Sequence, residues 1–287
     1  MKLLLTGANG FTGRHFAVAA SACGYKVVAL KASLGDADAL KAEVAKVAPE
    51  VVVHLAAISF VGGVNASAYY DVNVIGTLNL LDALAALARP PSQVLLASSA
   101  NMYGNCKQSP ITEDQLPAPV NHYATSKLAM EHMARAYLDR LPLFFTRPFN
   151  YTGPGQSASF VIPKLVAHFA RRAEVVELGS LDVEREFNDV RFVCEAYIKL
   201  LRKAPAGEVY NICTGKPVTP KTVLALLSEI TGHQLQVHVN PAFVRANEIR
   251  RLCGSPAKLE ATIGEIVSPT LVDTLGWMLR ASSVSAS

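Results

Sequence analysis

"TGANGFTG", residues 6–13, decides the fold. It closes the apolar run "KLLL" and opens "FTGRHFAVAASACG", whose apolar residues recur at helical spacing until Gly24. Gly7, Gly10 and Gly13 therefore stand between a short strand and a helix. A turn at that place must be tight, its backbone N–H groups must come close to an anion, and the helix must pack near the strand. Each demand favours a residue without a side chain. The amino end of the helix attracts negative charge, which suits a pyrophosphate. Glycine triplets are common in proteins, but one placed between the first strand and the first helix of a βαβ series predicts a dinucleotide site. Asn9, Phe11, Thr12 and Arg14, in or beside the loop, are candidates for the same site.

Outward from the loop the pattern repeats. "YKVVAL" (25–30) reads as a strand, "DADALKAEVAKV" (36–47) as a helix capped by Asp36, and "EVVVHLAA" (50–57) as a strand. A long helix over 69–88 follows, then the strand "SQVLLASS" (92–99), a helix from Tyr123, and "LPLFFTRPFN" (141–150). Short apolar runs separated by helix-length periodic segments predict an α/β fold. The expected core is a doubly wound parallel sheet of the Rossmann type, with ligands at the carboxyl ends of its strands. After Asn150 the rhythm loosens. "YTGPGQSASF" (151–160) is a loop, with helices expected over 160–172, 189–203 and 219–231 and strands near 174–178, 208–212 and 234–239. The expected division is a dinucleotide-binding domain over 1–150 and a smaller α+β lobe over 151–287. That lobe should bind mainly substrate and interleave with the first domain. The tail "ASSVSAS" (281–287) reads as frayed.

Half of the 287 residues are hydrophobic and 17% are charged, which makes a globular chain long enough for a sizeable core. A net charge of +4 with no Lys/Arg block argues against nucleic acid. "IRRL" (249–252) and Arg171-Arg172 read as solvated surface. The five cysteines are scattered without C-x-x-C spacing, as in a reducing compartment, and the seven histidines form no metal-binding helix, so no metal is expected. With no apolar run of about 18 residues and no signal-like N-terminus, a cytoplasmic protein without a membrane partner is expected.

"YATSK", 123–127, places Tyr123 and Lys127 one above the other on a helix face. Alone, that pair reads as the polar stripe of an amphipathic helix. Together with the glycine loop, "HLAA" (54–57) and "SSANMYG" (98–104), it resembles the extended short-chain dehydrogenase/reductase family over essentially the whole chain. The resemblance implies that Tyr123 donates or accepts the proton. Lys127 would hold the nicotinamide ribose and lower the tyrosine pKa, and Ser99 would bond the reacting oxygen. Hydride delivery to a ketone builds an alkoxide, which needs a proton donor, and a nearby ammonium stabilises a phenolate. The resemblance also brings Leu55, Ala56, Ala57 and Pro148 to the cofactor. Asn73 reads either as the family asparagine that bonds backbone near the site and supports a relay to the lysine or as a buried structural amide. At the end of the second strand Lys31 stands where NAD enzymes carry an acid, and Ser33 replaces the acid on the adenine side. Lys31 is either an ordinary exposed strand end or, with Arg14, a contact for a 2′-phosphate. NADP(H) is the expected cofactor, with NAD(H) as the alternative.

Within the family, "RPFNYTGPGQ" (147–156), "LDVEREFNDV" (181–190), "GEVYNICTG" (207–215) and "VRANEIRRLCGSPAKL" (244–259) resemble the nucleotide-sugar epimerase/dehydratase/reductase branch, and in it the GDP-4-keto-6-deoxy-D-mannose reductases. That resemblance implies reduction of a 4-keto sugar nucleotide, GDP-linked, to GDP-D-rhamnose for cell-surface polysaccharide such as lipopolysaccharide. Asn101, Asn150, Arg185, Arg245 and Glu248 would contact the substrate beside Ser99, and a homodimer would form through helices near 71–88 and 122–138. Dehydratases of the branch carry an acid pair directly after the catalytic hydroxyl. Here Ala100 and Asn101 stand there, and neither can act as acid or base. A 4-epimerase that retains NAD is the alternative enzyme, and a non-catalytic NADP-binding sensor the alternative outside catalysis.

Overall fold

The computed structural model describes residues 1–59, 65–243 and 248–284. Its strands are β1 (Lys2–Thr6), β2 (Lys26–Ala29), β3 (Val51–His54), β4 (Gln93–Ala97), β5 (Leu143–Pro148), β6 (Tyr151–Thr152), β7 (Val175–Leu178), β8 (Glu184–Arg185), β9 (Asn188–Asp189), β10 (Val209–Ile212), β11 (Gln236–Val239) and β12 (Arg251–Leu252). Its helices are α1 (Phe11–Ala22), α2 (Ala37–Val47), α3 (Ala66–Tyr70), α4 (Gly76–Ala85), α5 (His122–Ala134), α6 (Val161–Ala170), α7 (Val190–Lys203), α8 (Pro220–Thr231), α9 (Ala257–Ile263) and α10 (Leu271–Val284).

Six strands form one parallel sheet in the order β10-β5-β4-β3-β1-β2. From β1 the chain steps to β2 on one side and returns to β3 on the other. The crevice between β1 and β3 is therefore the switch point at which such sheets bind ligands. Alternation along the strands buries both faces. Leu3, Leu5, Val51 and Val53 pack with Phe16 of α1 and Val193 and Tyr197 of α7. Leu4, Val52, Val94 and Leu96 pack with Leu40, Leu80 and Met130 from α2, α4 and α5. Continuous apolar strands are what a sheet covered on both sides requires, and α7 and β10, from the second half of the chain, complete it. A separate core of α6, α8, α10 and the β7/β11 pair, around Leu165, Phe169, Leu178, Val223 and Leu227, forms the smaller lobe.

Asp36 caps α2 as expected, accepting the Ala39 amide at 3.0 Å. The expected helix over 69–88 starts earlier, at Ala66, and has a wide π turn over Asp71–Ile75 between α3 and α4, where the Gly76 N–H reaches back to the Asp71 carbonyl. Such turns cluster at functional sites, and this one carries Asn73. The tail also differs from expectation. α10 continues through Val284, so 281–284 are helical rather than frayed, with the Ser282 hydroxyl donating to the Met278 carbonyl. Among the described residues no helix is long and apolar enough to cross a membrane.

Candidate active site

The glycine loop lies over the crevice. Gly7 has φ +69°, and a Cβ there would stand 2.7 Å from the Ala56 amide nitrogen of the β3 tip. At Gly13 it would stand 2.1 Å from the Gly7 carbonyl oxygen. Both positions exclude a side chain so that the first turn of α1 can press against the loop. Thr12 reaches the Tyr151 hydroxyl at 2.7 Å, Phe11 stacks on the Tyr151 ring, and Arg14 donates to the carbonyls of Asn9 and Gly155. The loop is thereby tied to the segment after β5.

Ser99, Tyr123 and Lys127 meet in a cleft of about 710 Å³ with Gly7, Phe11 and Asn101 among its walls. Asn121 caps α5 by accepting the Ala124 amide, which brings Tyr123 and Lys127 to the end of β4. Ser99 stands two residues beyond the end of β4. Its oxygen accepts the backbone amide and the side-chain amide of Asn101, each at 3.2 Å, and it hydrogen-bonds Tyr123. Burial pushes the Tyr123 phenol up, and the bond to Ser99 pulls it back in part. The Lys127 ammonium donates to the Ala97 carbonyl at 2.7 Å. Burial brings its pKa down to about 8, against the pull of Glu131 one turn further on. The sequence predicts a lysine that lowers the tyrosine pKa. In the structure burial governs the tyrosine, and the lysine is anchored to the sheet.

Asn73 bonds backbone beside the site. It clasps Ile58 by both backbone groups, accepting its N–H and donating to its carbonyl, and donates to Ser126, whose hydroxyl donates to the Tyr123 carbonyl. Behind it runs a buried chain. The Thr77 hydroxyl donates to the Asn73 carbonyl, so it must accept from His54 Nε2–H. His54 Nδ1 then accepts from Thr6, whose oxygen takes the amides of Leu55 and Ala56. Every proton is assigned, His54 is neutral, and burial brings its pKa down to about 3.

Of the other expected residues, Gly10, Thr12, Gly13, Arg14, Leu55, Ala57, Pro148 and Asn150 line the cleft, whereas Asn9, Ala56, Lys31 and Ser33 do not. Arg185 is an expected substrate contact. β8 pairs with β12, and the Arg185 guanidinium donates to the carbonyls of Glu184 and Ile249 instead of lining the cleft. Glu248 is half-buried outside the cleft, its carbonyl accepting from Asn105. Arg245 lies outside the described residues. Among those residues no cluster of His, Cys, Asp and Glu suits a metal ion.

The model of the NAD dependent epimerase/dehydratase family matches residues 3–213. The chain belongs to that family. Two relatives illustrate the likeness. GDP-6-deoxy-D-talose 4-dehydrogenase of Aggregatibacter actinomycetemcomitans is 35% identical over 274 residues, 92% of each chain. GDP-6-deoxy-D-mannose reductase of Pseudomonas aeruginosa is 35% identical over 278 residues, 92% of this chain and 91% of the relative. The structure of RMD from Pseudomonas aeruginosa complexed with NADPH superposes with a TM-score of 0.91 at 32% identity, covering 99% of both chains. The protein is thus an NAD(P)-dependent oxidoreductase of the extended short-chain class.

Two observations of this chain fit a dinucleotide. The glycine cradle has no room for side chains, and among the described residues the buried Ser98 hydroxyl, on the cleft wall, has no hydrogen-bond partner. Sequence reasoning passed over Ser98, Tyr151, Gln156, Phe187 and Tyr197, all of which line the cleft. Tyr151 and Gln156 stood inside a motif without a role, while Tyr197 sits on the expected helix over 189–203, for which only the bounds were read.

Proposed function

We propose that this protein reduces the 4-keto group of a nucleotide-activated 4-keto-6-deoxyhexose, with GDP-4-keto-6-deoxy-D-mannose and GDP-D-rhamnose as the substrate and product pair. One observation carries the reading. Ser99, Tyr123 and Lys127 share a cleft in which the next two residues, Ala100 and Asn101, offer no acid or base. Oxidoreduction at one carbon needs only the first three, whereas dehydration needs the missing pair. Two relatives named for GDP-6-deoxyhexose chemistry, each covering nine-tenths of the chain, support the sugar and the nucleotide.

The glycine loop, Leu55, Ala57 and Pro148 would hold the dinucleotide, which would supply the hydride. Ser99 donates to the ketone oxygen and orients it. Tyr123 hands its proton to the developing alkoxide, and burial keeps that proton on the phenol until it is needed. Lys127, fixed by Ala97, puts a positive charge beneath the tyrosine, and Asn101 holds the Ser99 hydroxyl in place. Asn150, Gln156 and Ser157 line the substrate end. Pairing of α4 and α5 with their counterparts in a second copy would give the homodimer that the family resemblance implies.

The test is a turnover screen of nucleotide 4-keto-6-deoxy sugars with NADPH consumption recorded and the product sugar identified. Stoichiometric NADPH loss with a GDP-linked substrate is expected. Interconversion of 4-epimers with no added cofactor, by protein that retains NAD⁺ through dialysis, would replace the reductase with an epimerase.

A further inference from the structure

The carboxyl end of β2 carries no acid of its own, yet a carboxylate sits there. Lys31 and Ala32 follow the strand, and both backbone N–H groups point at Glu43, which α2 brings back over the strand tip. The Lys31 nitrogen lies 3.0 and 3.2 Å from the two carboxylate oxygens, and the Ala32 nitrogen 2.6 Å from one of them. The Leu30 amide is still committed to Leu5 across the sheet, so these are the first two donors beyond the β1 pairing. Successive N–H groups that converge on one anion form a nest, the backbone arrangement that binds phosphate and carboxylate oxygens. The nest is filled by the protein itself.

In a doubly wound sheet with a dinucleotide on the loop after β1, the adenosine ribose lies at the end of β2. We propose that Glu43 sets the choice between NADH and NADPH in this protein, a reading that rests on the dinucleotide site described above. A 2′-phosphate would have to place its acceptor oxygens on the two amide donors that Glu43 already occupies, and its charge is repelled by the carboxylate there. A free ribose hydroxyl can instead donate to a remaining carboxylate lone pair. Lys31, exposed at the same tip, acts in the opposite sense, because its ammonium attracts the phosphate. The acid missing from β2 is thus delivered 12 residues later from the neighbouring helix, and cofactor preference is a balance between Glu43 and Lys31.

The experiment is calorimetric binding of NADPH and NADH to the wild-type protein and to the Glu43→Gln and Glu43→Ala variants. Glu43→Gln keeps one acceptor oxygen for the nest, so the strand tip stays capped. Both variants should raise the affinity for NADPH relative to NADH by about tenfold, the scale of one lost ionic contact. Lys31→Asp should move the ratio the other way. A ratio unchanged within about twofold, or two variants that fail to fold, would make Glu43 a structural cap only and overturn the proposal. Failure of the wild-type protein to bind either dinucleotide would instead overturn the cofactor reading beneath it.

Discussion

The two halves of the chain hold their buried polar groups in opposite ways. In the first half they sit at strand tips or on the helices beside them. Thr6, His54, Thr77, Asn73 and Ser126 form one line from β1 to α5, each bonded to the next. In the second half one carboxylate gathers distant backbone. Glu186, fully buried, accepts the amides of Thr214, Gly215 and Gly254 and the side-chain amide of Asn188. Burial pushes its carboxyl up while these donors oppose the shift. The sheet places its functional groups by its own regular geometry, and the lobe must be cross-tied by an acid. A strand tip is a rigid support, whereas the loops after β8, β10 and β12 are held together by this one carboxylate.

The comparison can be broken at four points. The largest effect is expected at Glu131, which pairs bidentately with Arg147 in the buried contact between α5 and β5. Glu131→Ala leaves a buried guanidinium unpaired and should cost about 3–5 kcal/mol in urea unfolding. A loss below about 1 kcal/mol would show that α5 is not fastened there. Tyr123→Phe should leave stability and dinucleotide affinity intact while kcat falls at least ~10²-fold, the scale of a positioned acid. Near-normal turnover would remove Tyr123 from the chemistry.

The lobe gives the third test. Every partner of the Glu186 carboxylate is a donor, so Glu186→Gln turns an N–H₂ toward donors and should cost about 1–3 kcal/mol. An unchanged urea midpoint would mean that the lobe is held by its apolar core alone. The last effect is a slope. Native His54 refuses a proton down to about pH 3, whereas the unfolded chain takes one up near 6.5. The unfolded state therefore binds more protons across that window, and stability falls on acidification by up to about 1.4 kcal/mol per pH unit. Stability curves measured over pH 3–7 should be flatter by that contribution in His54→Gln. Parallel curves would mean that His54 protonates in the folded protein.

Where local pattern and global packing agree, the chain was legible. Alternating apolar strands, the glycine loop and the Asp36 cap each follow from neighbours in sequence, and the structure realises them at the expected residues. "YATSK" announced a shared helix face, because 3.6 residues per turn place Tyr123 and Lys127 together whatever surrounds them. The tie that Arg185 makes was not legible. Its carbonyl partner Ile249 lies 64 residues away and left no local trace.

The sequence by itself determined the parallel α/β core and the glycine cradle, since these rest on short-range periodicity and on steric demands at single residues, while Ser99, Tyr123 and Lys127 were singled out by family resemblance. Only the tertiary structure decided how those groups are charged and supported. It showed that Lys127 is tied to Ala97, that His54 is held neutral by hydroxyls from two other elements, and that Glu43 fills the amides at the tip of β2. Burial and hydrogen bonding depend on what other segments bring within a few ångströms, and one-dimensional spacing carries no record of that distance.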